Sequence, residues 1–194
     1  MSRLRQDFTT ITWVMIPVAI AINIAIGQLI ILLKIPIYLD SIGTVLVGVL
    51  AGPWAGALTG LLSNLIWGFF GNVIYAPFAG VAAVVGILAG LFAELKWFRS
   101  WWKAILAGAI TGLVAAILSA PISAYVFGGV TGSGTDVLVA AFRQAGLDVV
   151  GASMAQGVAS DPLDKAISFF IVYLILLALP FRFLARFPRS ENVK

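Results

Sequence analysis

Ten side chains in this sequence carry groups with which a protein could do chemistry: Tyr38, Asp40, Asn64, Trp67, Asn72, Tyr75, Tyr125, Asp161, Asp164 and Lys165. Aromatic rings set among a few hydrogen-bonding groups are the usual lining of a small-molecule pocket. Catalysis fits less well. There is no histidine and no cysteine, which removes the commonest general base and metal ligand, and every thiol nucleophile, disulfide and thiolate metal site. Asp161 and Asp164 have helical spacing, but they are expected at the membrane surface with only Lys165 beside them. No Gly-x-x-x-x-Gly-Lys-Ser/Thr loop occurs, so the chain is not expected to bind and hydrolyse ATP by itself. The residues therefore predict binding, with no enzyme activity, no cofactor, no metal and no nucleic-acid partner.

Plainer roles stand beside these. Asp40 and Asp161 suit N-caps of the helices that follow them. The three tyrosines suit anchors at a membrane interface. Asp164 and Lys165 suit a solvated pair at a helix start. Asn64 is harder to place this way: about two turns inside a span, it must find a hydrogen-bond partner.

The elements that must hold these groups are membrane helices. Of 194 residues, 61% are hydrophobic, and the mean hydropathy is +1.08. The 53 residues from Ser41 to Ala93 contain no Asp, Glu, Lys or Arg, and further charge-free blocks run from Phe8 to Leu33, Ala104 to Thr135 and Ala166 to Phe181. A helical span takes about 20 apolar residues, so the blocks hold five or six. The expected fold is all-α, a single domain over 1–194, with spans at about 11–33, 40–51, 53–70, 77–93, 104–127 and 162–183. Pro36, Gly52-Pro53, the Gly71–Pro77 loop and the charged Glu94–Lys103 connection, with Trp97, Trp101 and Trp102, punctuate it. The second span is short enough to be half of a re-entrant pair with the third. The first is expected to be retained, because Ile11–Leu33 exceeds a signal-peptide core of about 7–15 residues.

Charge sets the orientation. With six spans and both termini inside, nine of the twelve basic residues (Arg3, Arg5, Lys96, Arg99, Lys103, Arg182, Arg186, Arg189 and Lys194) fall on the inner side. A five-span count puts a basic cluster on the wrong face. The ten candidate residues then gather toward the outer side. The long Gly128–Ser160 connection opens with Gly-Gly-Val-Thr-Gly-Ser-Gly and turns amphipathic around Val137, Leu138, Ala141, Phe142 and Leu147. It reads as one or two short helices forming a lid over an outward-facing pocket.

Small residues recur four apart at Gly48/Gly52, Gly56/Gly60, Gly86/Gly90 and Gly108/Gly112. In lipid such pairs let backbones approach closely, which predicts a tight bundle without a wide pore. Asn23 and Gln28 suit polar glue between helices. Ala21 and Ala25, with Pro17 one turn earlier on the same face, suit either ordinary packing or a smooth strip for another protein.

The set resembles the substrate-binding S component of energy-coupling factor (ECF) transporters, the bacterial vitamin importers. The segments carrying the likeness are Ala21-x-x-x-Ala25 in the first span, Tyr38-Leu-Asp-Ser-Ile-Gly-Thr44, Gly52-Pro-Trp-Ala-Gly-Ala-Leu-Thr-Gly60 and Asp161-Pro-Leu-Asp-Lys165. The resemblance covers nearly the whole chain. It implies capture of a vitamin or related micronutrient outside the cell. It also implies docking through Ala21 and Ala25 on a membrane T component with two cytoplasmic ATPases, and release inside as the subunit topples in the bilayer. By the same resemblance Lys34–Asp40 gates the pocket and the location is the bacterial inner membrane. No particular vitamin is indicated; a flat heteroaromatic ring with a polar tail suits the candidate residues. The competing expectation is a self-sufficient secondary transporter or channel.

Overall fold

The computed structural model of the chain describes residues 6–193. Arg3, Arg5 and Lys194, three of the basic residues that set the expected orientation, lie outside them. Eight α-helices follow one another, with no strand among the described residues: α1 (Thr10–Leu32), α2 (Ile42–Ala51), α3 (Pro53–Phe70), α4 (Ala79–Glu94), α5 (Trp101–Phe127), α6 (Asp136–Gln144), α7 (Val149–Ala178) and α8 (Phe181–Leu184). Short 3-10 turns cover Val73–Phe78, Trp97–Arg99 and Ser190–Asn192. Three stretches are long and apolar enough to cross a membrane: Thr10–Leu32, Val73–Glu94 and Trp101–Phe127.

Helix α2 is the centre of the fold. All ten of its residues are buried, packed by α1, α3, α4 and α7. At about 1.5 Å per residue it is about 15 Å long, half a hydrocarbon core. It need not be longer, because the chain before it dips into the bundle: the backbone N–H groups of Tyr38 and Leu39 donate to Asp164, at 3.0 and 2.7 Å. Asp164 stands about 22 Å along α7.

Contact between helices is made by backbone. Gly56 and Gly86 meet at the crossing of α3 and α4, Gly60 meets the carbonyl of Ala82, and Gly90 meets Pro53. Gly108 and Gly112 of α5 lie on the backbone of Lys165–Ala166 and of Asp161–Pro162. The four-residue glycine spacings are thus packing seams. Gly52, between α2 and α3, has φ +120°, and the Asp7 carboxylate occupies the space a β-carbon would take. No other residue type satisfies both conditions.

Each end of the bundle is tied by polar groups. At one end Asp7, fully buried, accepts from Arg189 (2.9 Å) and from the backbone N–H of Trp54 (3.2 Å). Arg189 also pairs with Glu94 (3.4 Å) and donates its backbone N–H to Leu50. Arg99 donates to the carbonyl of Glu191 (2.6 Å). At the other end Lys34 donates to the carbonyl of Gly132, and the Tyr38 hydroxyl is hydrogen-bonded to Thr135.

Several expectations need correction. The last long helix begins at Val149, not near Pro162, so Asp161, Asp164 and Lys165 stand inside it and are buried. Asp161 caps nothing, and the three charges are not at a solvated surface. Pro162 forfeits the bond its missing N–H would make and crowds the carbonyl four residues back, yet α7 runs through it, with the Asp161–Pro162 backbone against Gly112. The long connection accordingly shortens: α6 is its one separate helix, and 149–160 belong to α7. The Gly71–Pro77 loop is largely a 3-10 turn. Gln28 is exposed and glues nothing, whereas Asn23 is held as expected: it donates to Thr44 (2.8 Å) and Ser63 (2.9 Å) and accepts from the N–H of Gly43 (2.7 Å).

The seams give a direct check. Gly86→Ala is expected to cost about 1–3 kcal/mol by overpacking the α3–α4 crossing. Gly80→Ala, with nothing within 4 Å of the added carbon, is expected to change stability by no more than about 0.5 kcal/mol. Melting of the purified proteins in detergent compares the two.

Candidate functional site

A cavity of about 100 Å³ opens among α3, the Val73–Phe78 turn, α4, α5 and α7, beside the 34–41 and 128–135 connections. Six of the ten expected residues line it: Tyr38, Asp40, Asn64, Tyr75, Asp161 and Lys165. The others are placed otherwise. Asp164 lies directly behind the wall, fully buried. Trp67 is buried and stacks on Tyr75, with centroids 3.6 Å apart and rings 11° from parallel. It therefore fixes the orientation of a wall residue. Asn72 accepts from the N–H of Ile74 at 3.2 Å and so caps the turn that carries Tyr75. Tyr125 is 79% exposed and lies outside the cavity.

Sequence spacing missed the other polar lining. Ser119 and Ser123 belong to α5, Thr131 and Ser133 to the glycine-rich connection, and Gln156 to the first half of α7. Gln156 went unseen because α7 was expected to start after it. The rest of the wall is apolar, with Ile74, Phe78, Val81 and Val85 prominent.

Charge dominates the floor. Lys165 forms an ion pair with Asp164 and a second, at 3.3 Å, with Asp40. Both contacts lie about midway along α7, in surroundings that raise the cost of any unpaired charge. Asp164 also receives the N–H groups of Tyr38 and Leu39. Two backbone donors and one ammonium satisfy this carboxylate, and together they hold the 34–41 connection down against α7. Leu39 takes a left-handed conformation there, φ 49°. For a bulky residue that is strained, and the two bonds to Asp164 hold it.

Tyr38 completes the roof. Burial, and then the nearby carboxylates of Asp161, Asp164 and Asp40, push its phenol up from the usual tyrosine range. It stays a neutral hydroxyl, hydrogen-bonded to Thr135 at 2.9 Å and accepting from Gln156 at 3.5 Å. Ser133 and Asp136 extend the chain: Asp136 accepts from the N–H groups of Thr131 and Gly132. The 128–135 connection is thereby folded over the cavity.

Asn64 behaves differently from Asn23. It is 6% exposed and lines the cavity, and among the described residues no group hydrogen-bonds its side-chain amide. A buried amide without a partner is costly. Here its donors and acceptor face open space, where a ligand or water can meet them.

The arrangement can bind: an apolar wall, neutral hydroxyls and amides, and a carboxylate-rich floor. No family model, curated protein or solved structure matches the chain.

The floor yields a test of coupling. Asp164→Ala leaves Lys165 partly unpaired and frees two N–H groups, and is expected to destabilise by about 3–5 kcal/mol. Asp164→Ala combined with Lys165→Met is expected to cost less than the sum of the single changes. Equilibrium unfolding in mixed micelles measures the cycle.

Proposed function

We propose that this chain is the substrate-capture subunit of an ATP-driven ECF-type importer, set in a bacterial inner membrane by six spans with both termini inside. It takes a vitamin or related small micronutrient from the outer side, docks on a T component carrying two ATPases, and releases its load inside. The observation that carries this reading is the cavity: buried, roofed by two connections, and lined by an unsatisfied amide and ionisable groups that cost energy to bury. Such groups inside a membrane bundle are a functional site by default.

Two further features support it. The segments assigned to the inner side meet at the Asp7–Arg189–Glu94 end, and those assigned to the outer side meet at the Tyr38–Thr135 end. The first helix leaves a strip of Pro17, Ala21 and Ala25 exposed, flanked by Trp13 and Leu29. Both alanines are exposed, which favours the partner-facing alternative. A smooth strip of small residues suits close approach of another helix. The sequence has no nucleotide-binding loop, and a capture subunit borrows its energy.

The self-sufficient secondary transporter keeps one observation in its favour. Asp161 and Asp164 are buried near the middle of α7, and intramembrane carboxylates mark proton relays as well as binding sites.

Uptake separates the two. Vesicles carrying this chain with a T component and its ATPases are expected to accumulate substrate only with ATP. Accumulation by this chain alone at the same rate rejects the capture reading. Ala21→Trp or Ala25→Trp is expected to abolish uptake and leave ligand binding within about threefold of wild type, since the strip lies away from the cavity. Equal loss of both places these alanines in the fold.

A further inference from the structure

Among the groups lining the cavity, Asp161 is a carboxyl group with no ion-pair partner among the described residues. It accepts from Ser160 (3.1 Å) and Ser119 (3.5 Å), both neutral hydroxyls. The charged groups around it are Lys165, Asp164 and Asp40. Lys165 is already shared between the other two carboxylates. Three carboxyl groups thus share the floor with one ammonium. Among the described residues no group of three or more His, Cys, Asp and Glu is placed to hold a metal ion. A second feature belongs to the same space: Asn64 on the α3 side, a buried residue that lines the cavity and whose amide has no protein hydrogen-bond partner among the described residues.

We infer that the cavity takes a small organic cation, whose protonated nitrogen donates to Asp161, whose flat neutral part lies on Ile74, Tyr75 and Phe78, and whose polar edge meets Asn64. The inference rests on the capture reading of this cavity and narrows its substrate class. The chemistry is that of an ammonium or amidinium. A charge-assisted hydrogen bond to a carboxylate in a dry site is stronger than a neutral one. An anionic ligand would face Asp40 and Asp161, and the one ammonium beside them, Lys165, is already paired with Asp40 and Asp164, which disfavours that class. The Tyr75 ring, held by its stack on Trp67, gives the flat part a rigid face.

The test uses the full chain, purified in detergent, and two near-isosteric probes, benzamidinium and benzamide. Titration calorimetry is expected to give benzamidinium an affinity at least about tenfold higher than benzamide. In Asp161→Asn the two affinities should converge to within about threefold. Wild-type protein that treats both probes alike, or binds neither, overturns the inference, as does an Asp161→Asn protein that keeps the preference. If that variant does not fold, the wild-type comparison alone decides. Mass spectrometry of small molecules released from the purified protein adds an independent arm: a cation supports the inference, and a neutral or anionic ligand overturns it. Failure of the capture reading looks different. There the charge preference persists while uptake proceeds without ATPases.

Discussion

The structure depends on a buried set of charges, Asp40, Asp164 and Lys165, near the middle of a helix that lies in an apolar bundle. An ammonium in such surroundings persists only if carboxylates and donors are arranged around it. Lys165 brings two carboxylates to itself, from α7 and from the connection before α2. That requirement pulls the 34–41 connection deep between the helices, which in turn lets α2 be ten residues long and entirely buried. The cavity is the space left above this floor.

Close backbone packing supplies the rest. Lipid offers the helices no hydrophobic reason to associate, and the glycines of α3, α4 and α5 let carbonyls approach where a β-carbon would block them. The crossing of α5 over α7 falls at Lys165 and Asp161, so the seam that builds the bundle also fixes the charged turn of α7. The far end is closed separately by Asp7, Glu94 and Arg189. The two ends thus differ in character: one is tied by ion pairs, and the other is roofed by the 34–41 connection and by the 128–135 connection, rich in glycine, threonine and serine.

The periodic parts of this fold were legible in the sequence. Charge-free length marked α1, Gly52-Pro53 and the Gly71–Pro77 segment marked the ends of α3, and the glycine spacings marked the seams. What misled was Pro162. Read as a helix start, it put Asp161, Asp164 and Lys165 at a surface, where they would be ordinary. A proline inside a helix forfeits one hydrogen bond and crowds the carbonyl four residues back, and this helix runs through it all the same. The same error hid Gln156 and lengthened the loop before it. Asn64 and Asn23 carry the same side chain inside neighbouring spans, yet one is fully bonded and the other faces the cavity. Only three-dimensional neighbours separate them. Tyr125 was drawn into the site by its position at a helix end, but at that height its face turns outward.

The claim underlying all of this is that the cavity and its charged floor open toward one side of the membrane while both termini lie on the other. The absence of native cysteine makes this directly measurable. Single cysteines at Asn72, Ser133 and Ser190, reacted in intact cells with a membrane-impermeant maleimide, report which side each position occupies. The account predicts labelling at Asn72→Cys and Ser133→Cys in intact cells, and at Ser190→Cys only after the membrane is opened. Labelling of Ser190→Cys together with Ser133→Cys from the outside would contradict it.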